Sequence, residues 1–312
     1  MTALIENLVT VAGQVVTLFI MISAGFVLKK LKKITVDAQK QMMFILLYVV
    51  SPCLIVNAMQ IERSASLARN MLLTGAGCCA YFAIAVALNR LFFRKREPDT
   101  RDVLRFSTIY PNCAFMGFPL IRAVLGDESM LFASIFLIIF QLIHWTHGVV
   151  LMGGRKAASV KAVLINPGTF GFIIGLLFFT LNIRLPWPIA NATKAVADIN
   201  TALAMFIIGA MMADADIKAL FKMKNLYAAA SLKLLFFPAV VAAVLYPFNL
   251  PPIVYCTCVI LSATPSAGVT AMFAQQFERD EITGASAVSL TTLLSIVTLP
   301  LFAAVTKIIS GI

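Results

Sequence analysis

The sequence predicts an all-α polytopic membrane protein, with ten transmembrane helices arranged as two inverted five-helix repeats. Three observations carry that expectation: an extreme apolar composition, ten apolar runs that divide five and five, and a proline-broken run at the matching place in each half. Of the 312 residues, 61% are hydrophobic and 12% charged, and the mean hydropathy is +0.93. Soluble domains sit near half apolar and a quarter charged. A bilayer core about 30 Å thick needs roughly 20 apolar residues per helix, so ten helices take roughly 230 residues and leave about 80 for loops and termini. No room remains for a soluble enzyme domain or a nucleotide-binding domain.

Apolar runs between charged breaks give the spans Leu8–Leu28, Ala38–Met59, Asn70–Phe93, Val103–Leu125, Ser129–Met152, Pro167–Ile183, Ile189–Ala213, Leu226–Phe248, Ile253–Phe273 and Thr283–Thr306. The first ten residues hold Glu6 and no Lys or Arg. A signal peptide opens with positive charge, so the first run reads as a retained span. The net charge of +11 would suggest nucleic acid in a soluble chain. Here the basic residues sit in short loops on alternate sides. Lys29 to Lys40, Arg90 to Arg105, Arg155, Lys156, Lys161, Lys218, Lys222, Lys224 and Arg279 fall on one side. Arg63, Arg69, Arg122, Arg184, Lys194 and Lys307 fall on the other, with Lys233 left inside a span. By the positive-inside rule the first set is cytoplasmic and both termini face out. The partner is then the lipid bilayer, and no nucleic acid is expected.

Residues 153–166 form a short cytoplasmic linker between a first repeat (1–152) and a second (167–312). An odd number of spans per half inverts the second half in the membrane, an architecture common among secondary transporters. The fourth span carries Tyr110, Pro111, Asn112, Cys113 and, further on, Gly117 and Pro119. The ninth carries Thr264, Pro265, Ser266, Ala267 and Gly268. Each central proline follows a hydroxyl residue, precedes a small polar one and lies near mid-span, where its missing N–H and its ring break the helix. Freed backbone groups at that depth are tolerated only where they line a cavity or bind something. Half-helices starting near Asn112 and Ser266 aim positive dipole ends at the midplane from opposite sides. That arrangement suits an anion, with Asn112, Ser266 and Thr264 as side-chain partners. Ordinary proline kinks are the alternative.

Few charges lie within spans. Asp198 follows Lys194 by four residues on one helical face and is either a proton or cation site or a local ion pair. Lys233 lies too deep to snorkel easily and suits an anionic substrate or a carbonyl. His144 and His147 share a face with Gln141; polar lining or helix–helix hydrogen bonding is favoured over metal binding or proton relay. The stripe Ser286, Ser289, Thr292, Ser295, Thr298 steps by three residues and fits close helix packing. The six cysteines (Cys53, Cys78, Cys79, Cys113, Cys256, Cys258) lie in apolar runs without zinc-motif context and read as packing groups.

The run from Pro111 to Leu120 resembles the N-x-x-x-x-G-x-P signature of the auxin efflux carrier family, which includes bacterial proteins described as malonate or malate transporters. The run from Ala263 to Gly268 and the ten-span plan are similar too, so the likeness covers essentially the whole chain. The resemblance implies two interrupted, crossed helices in a mobile transport domain of spans three to five and eight to ten. Spans one, two, six and seven would form the scaffold and a homodimer interface. It implies an organic-acid substrate held by Pro111, Asn112, Pro265 and the adjacent backbone, and residence in a bacterial inner membrane. The related bile-acid:sodium symporters hold sodium with an acid at the second crossover. None lies between Cys256 and Phe277 here, so sodium would be held by carbonyls and hydroxyls, with Asp198 as the alternative proton site.

The expectation is therefore alternating-access transport of a small carboxylate, a dicarboxylate such as malonate, with a proton or sodium as possible coupling ion and no cofactor. The alternatives are an aromatic or amphipathic acid as substrate, a channel, and an intramembrane enzyme. No filter-like repeat or ring of like charge supports a channel, and the absence of G-x-S-x-G and H-E-x-x-H weighs against an enzyme.

Overall fold

The computed structural model describes residues 2–62, 64–154, 157, 167–214 and 223–311, with the side chains of 2–8, 10 and 167 excepted. The orientation charges Arg63, Arg155, Lys156, Lys161, Lys218 and Lys222, and most of the linker, lie outside the described residues. The described chain is helical, with one isolated β-bridge as its only extended pairing.

In chain order the helices are α1 (Thr2–Lys30), α2 (Val36–Ala58), α3 (Ala65–Asn89), α4 (Pro98–Ile109), α5 (Cys113–Leu125), α6 (Ser129–Gly153) and α7 (Pro167–Thr180). There follow α8 (Trp187–Asp198), α9 (Asn200–Asp214), α10 (Lys224–Phe248), α11 (Pro252–Ala263), α12 (Val269–Gln276) and α13 (Glu281–Ser310). Seven helices are long and apolar enough to cross a membrane: α1, α2, α3, α6, the near-continuous α8–α9, α10 and α13. The protein is thus a multi-pass membrane protein. The fourth and ninth spans do not reach that length because each is cut into two helices. The sixth, α7, is short at 14 residues. The seventh span, read as one run, is interrupted at Ile199.

Local chemistry explains the element ends. Thr35 and Ser64 cap α2 and α3 by accepting from Ala38 N and Leu67 N, each at 3.1 Å. Asp280 caps α13, accepting from Thr283 N at 2.9 Å and from the Thr100 hydroxyl of α4 at 2.7 Å. Gly311 closes α13 with φ +80°. Among the described residues, three of the four π-helical turns, Leu46–Val50, Cys113–Gly117 and Leu232–Phe236, end two residues before a proline (Pro52, Pro119, Pro238). The proline ring crowds the carbonyl four residues back, and the wider turn relieves that clash while leaving no donor wasted.

Packing between helices uses small residues, because lipid offers no hydrophobic drive for helices to associate. A Cβ on Gly25 of α1 would come within 2.3 Å of Phe206 O, and one on Gly209 of α9 within 2.0 Å of Ile22 O, so these two helices touch backbone to backbone. The same holds for α7 on α2, where a Cβ on Gly171 would meet Pro52 Cα at 2.7 Å. Ser286, Ser289, Thr292 and Ser295 of α13 are all buried, as close packing requires, and Thr298 is half-buried. All six cysteines are free. Cys79 departs from the packing expectation: it is exposed.

A contrast between two glycines tests the backbone contact. Gly209→Ala drives a methyl into main chain and is expected to cost about 1–3 kcal/mol as overpacking. Gly175→Ala meets only the flexible Met59 side chain, at 2.8 Å, and should cost much less. Thermal unfolding of the purified variants measures the difference; equal losses contradict the close contact of α1 and α9.

Candidate functional site

The two interruptions meet each other. Helix α4 ends at Ile109 and α11 at Ala263, each 12 residues long and each beginning with a proline. Pro111 pairs antiparallel with Ser266 in the isolated bridge. Asn112 N donates to Pro265 O at 2.7 Å, and Ala267 N donates to Tyr110 O at 2.9 Å. Each break thus supplies the partner that the other lacks, which satisfies four main-chain groups that neither helix could satisfy alone.

Several of the other freed groups are also claimed. The Ser266 hydroxyl donates to Ser107 O at 2.7 Å, and Ser266 N donates to the Thr291 hydroxyl of α13 at 3.1 Å. The Thr264 hydroxyl turns back to Leu261 O at 2.8 Å. Tyr81 of α3 donates its hydroxyl to Ile109 O at 2.7 Å. Asn112 caps the start of α5, its Oδ1 accepting from Phe115 N at 3.2 Å. Among the described residues neither its Nδ2 nor the buried Thr270 hydroxyl in the first turn of α12 has a hydrogen-bond partner, which leaves two donors near the crossover uncommitted. Gly117 is tightly packed: a Cβ there would lie 2.5 Å from Leu261 Cδ2 of α11, so that side chain would have to shift.

The crossover is closed. Tyr110, Thr264 and Ser266 are fully buried, and Pro111, Cys113, Pro265, Ala267 and Gly268 are buried with them. Asn112 is 4% exposed. Met211 of α9 lies over Gly268, within 3.5 Å of where a Cβ would stand. Two side-chain partners foreseen for an anion, Ser266 and Thr264, spend their hydroxyl protons on carbonyls of the crossover itself. Of the three, Asn112 alone keeps a donor free.

Around Tyr110 stands an aromatic group formed by Phe82, Phe106, Phe140 and His144. The Tyr110 hydroxyl is 2.9 Å from His147 Nδ1, the helix–helix hydrogen bond expected of this histidine pair. His144 instead stacks between Phe140 and Phe273, and neither of its ring nitrogens has a hydrogen-bond partner among the described residues. Gln141 is half-buried on the same helix. A cavity of about 390 Å³, lined by Cys79, Phe82, Val86, Arg90, Ile143 and His147, opens beside this group.

Asp198 is removed from the crossover. Its carboxylate takes Lys194 at 2.7 Å and Arg122 of α5 at 3.1 Å, and Arg122 also holds Asp127 at 2.6 Å. The Asp198 side chain is 44% exposed, on a cavity of about 310 Å³ that Asn57, Gln60 and Glu128 also line. Arg122 is a partner that sequence spacing missed. Lys233 is fully buried, donating to the Tyr81 hydroxyl at 3.0 Å and to Ser262 O at 2.9 Å, the carbonyl role anticipated for it. Tyr81, Ser107 and Thr291 were not foreseen. They carry no local signal beyond being hydroxyl residues in apolar runs.

Comparison with known proteins now adds to the geometry. The membrane transport protein family matches residues 10–163 and 157–303. The chain is similar to an uncharacterized transporter of Methanothermobacter thermautotrophicus, 21% identical over 297 residues that cover 93% of this chain and 97% of that protein. It is also similar to auxin efflux carrier component 8 of Arabidopsis thaliana, 22% identical over 224 residues, or 54% of this chain and 61% of that one. These relatives and the family point to a transporter rather than an enzyme. With matches across both halves of the chain, on either side of a crossover of two broken helices, the chain belongs to the membrane transport protein family, as an auxin-efflux-carrier-type transporter.

Proposed function

We propose that this transporter moves a small organic anion, a dicarboxylate such as malonate, by alternating access. In this reading the substrate binds where α5 and α12 begin. The observation that carries it is the crossover itself: two helix N-termini converge at bilayer depth, and Asn112 Nδ2 is left as a free donor beside them. Helix N-termini attract carboxylates through their dipoles and unpaired N–H groups. Tyr110, Pro111, Cys113, Gly117, Thr264, Pro265, Ser266, Ala267 and Gly268 shape that place.

In this reading the ten spans form an inverted repeat, which suits that mechanism. Contacts recur under exchange of the halves: α1 of the first span meets α9 of the seventh backbone to backbone, and α7 of the sixth meets α2 of the second in the same way. These four spans form the proposed scaffold and homodimer surface, and the six others form the mobile part. Ion pairs join residues assigned to one side only, Lys29 with Asp214 and Arg279 with Asp99 inside, Arg122 with Asp198 outside. Such same-side pairing is required by the proposed topology, in which both termini face out of a bacterial inner membrane. The buried crossover opens when the mobile part slides along the scaffold. Arg122 of α5 and Asp198 of α8 bridge the two parts at the outer end. A half-exposed carboxylate between two cations suits such a contact better than a proton carrier.

A second reading, an aromatic carboxylate as substrate, draws on the rings gathered at Tyr110 and on the auxin efflux carrier relative. Competition in proteoliposomes decides between them: labelled malonate uptake should be displaced by unlabelled dicarboxylates and not by indole or phenyl carboxylates.

Two variants test the site. Hydrogen bonds to a charged group are worth about 1.5–3 kcal/mol, so Asn112→Ala should weaken saturable uptake by about tenfold or more. Uptake unchanged in both Asn112→Ala and Pro265→Ala would remove the crossover as the binding place. Asp198→Asn should alter the maximal rate and leave accumulation driven by an imposed proton gradient intact. Loss of accumulation with affinity kept would instead make Asp198 a coupling site.

A further inference from the structure

Lys233 sits at the carbonyl ends of the crossover, beside the amide ends of the proposed anion site. Its Nζ donates to Ser262 O at 2.9 Å and to the Tyr81 hydroxyl at 3.0 Å, and that hydroxyl donates to Ile109 O at 2.7 Å. Ile109 ends α4 and Ser262 lies in the last turn of α11. One chain of three hydrogen bonds therefore ties the carbonyl end of one half-helix to that of the other. The anchors are counterparts in the two halves. Tyr81 reaches 28 residues ahead to Ile109, and Lys233 reaches 29 ahead to Ser262, each from the span that precedes its broken one.

A helix C-terminus carries roughly −0.5 of an elementary charge, so two converging ends present about −1. A bare pair of this kind, walled by carbonyls at bilayer depth, is a site for a monovalent cation. Lys233 fills it with a tethered one. Among the described residues no carboxylate pairs with Lys233, and its side chain is fully buried. A buried ammonium without a counter-ion is strongly disfavoured, and the groups that face this one are the Ser262 carbonyl at the end of α11 and the Tyr81 hydroxyl, itself bonded to the end of α4. The π-turn Leu232–Phe236, set by Pro238, is the local distortion in which Lys233 sits.

We infer that Lys233 is the resident cation of the crossover: its ammonium occupies the place between the two carbonyl ends that a bound sodium ion would otherwise fill, and transport therefore draws on no sodium gradient. Lys233 is a positioning residue, holding α4 and α11 in register while the substrate acts at the neighbouring amide ends. The inference rests on the transport reading above for its consequence, and on the hydrogen-bond chain alone for the site.

The experiment compares wild type with Lys233→Ala, using sodium, methylammonium and choline chlorides as the added salts. Malonate uptake by wild-type proteoliposomes should be equal in sodium and choline. Thermal unfolding of the purified wild type should be indifferent to which salt is present. Lys233→Ala should lose uptake about tenfold or more and melt earlier in choline. Methylammonium or sodium, small enough to enter the vacated place, should restore part of both. Wild-type uptake or melting that requires sodium overturns the inference. So does a Lys233→Ala protein that choline, sodium and methylammonium affect alike, or a Lys233→Met protein that transports like wild type. Where Lys233→Ala does not fold, the wild-type sodium comparison and Lys233→Met decide. If wild type carries no malonate in any salt, the substrate reading fails while the melting comparison still tests Lys233.

Discussion

Everything in this structure depends on how two broken helices satisfy their backbone inside a membrane. A proline in a bilayer-spanning helix frees main-chain groups that no water reaches, and each such group left unpaired costs several kcal/mol. The two breaks solve this for each other through Asn112 N to Pro265 O and Ala267 N to Tyr110 O. Neither half is tenable without its counterpart, which explains why a chain with almost no extramembrane mass keeps both. The neighbouring helices complete the satisfaction from outside: Tyr81 from α3, Lys233 from α10, Thr291 from α13.

This accounting also assigns polarity. The N-terminal ends of α5 and α12 and the carbonyl ends of α4 and α11 meet around one point, so positive and negative dipole ends lie side by side. The carbonyl ends already hold a cation in Lys233. The amide ends keep the Asn112 Nδ2 donor free, and the proposed anion site uses that asymmetry. Because the crossover is sealed, with Asn112 only 4% exposed, access in the proposed mechanism comes from movement of the surrounding helices rather than from a standing pore. The bridge of Arg122 to Asp198 is among the contacts such a movement must break; exposed pairs of this kind are worth about 1 kcal/mol or less, weak enough to open repeatedly.

Much of this was legible in the sequence where the cause is local. Proline chemistry places the breaks at Pro111 and Pro265 without any fold, and hydropathy places the apolar runs within a few residues of their helices. Capping by Asn112 follows from its place just after the break. What the sequence could not show depends on contacts between distant segments. Ser266 finds Ser107 across 159 residues, Lys233 finds Tyr81 across 152, and Asp198 finds Arg122 across 76. Nothing in the spacing marks Tyr81 or Thr291 among the other hydroxyls of their spans. The exposure of Cys79 likewise follows from which side of α3 faces its neighbours, which an apolar run does not reveal.

The most direct measurement is a structure of the protein with malonate bound. The account predicts carboxylate density within hydrogen-bonding distance of Asn112 Nδ2 and the first-turn amides of α5 and α12, with Lys233 still seated between Ser262 O and Tyr81. Density in the cavity beside Arg90 and His147 instead, with the crossover unchanged and sealed, would contradict it.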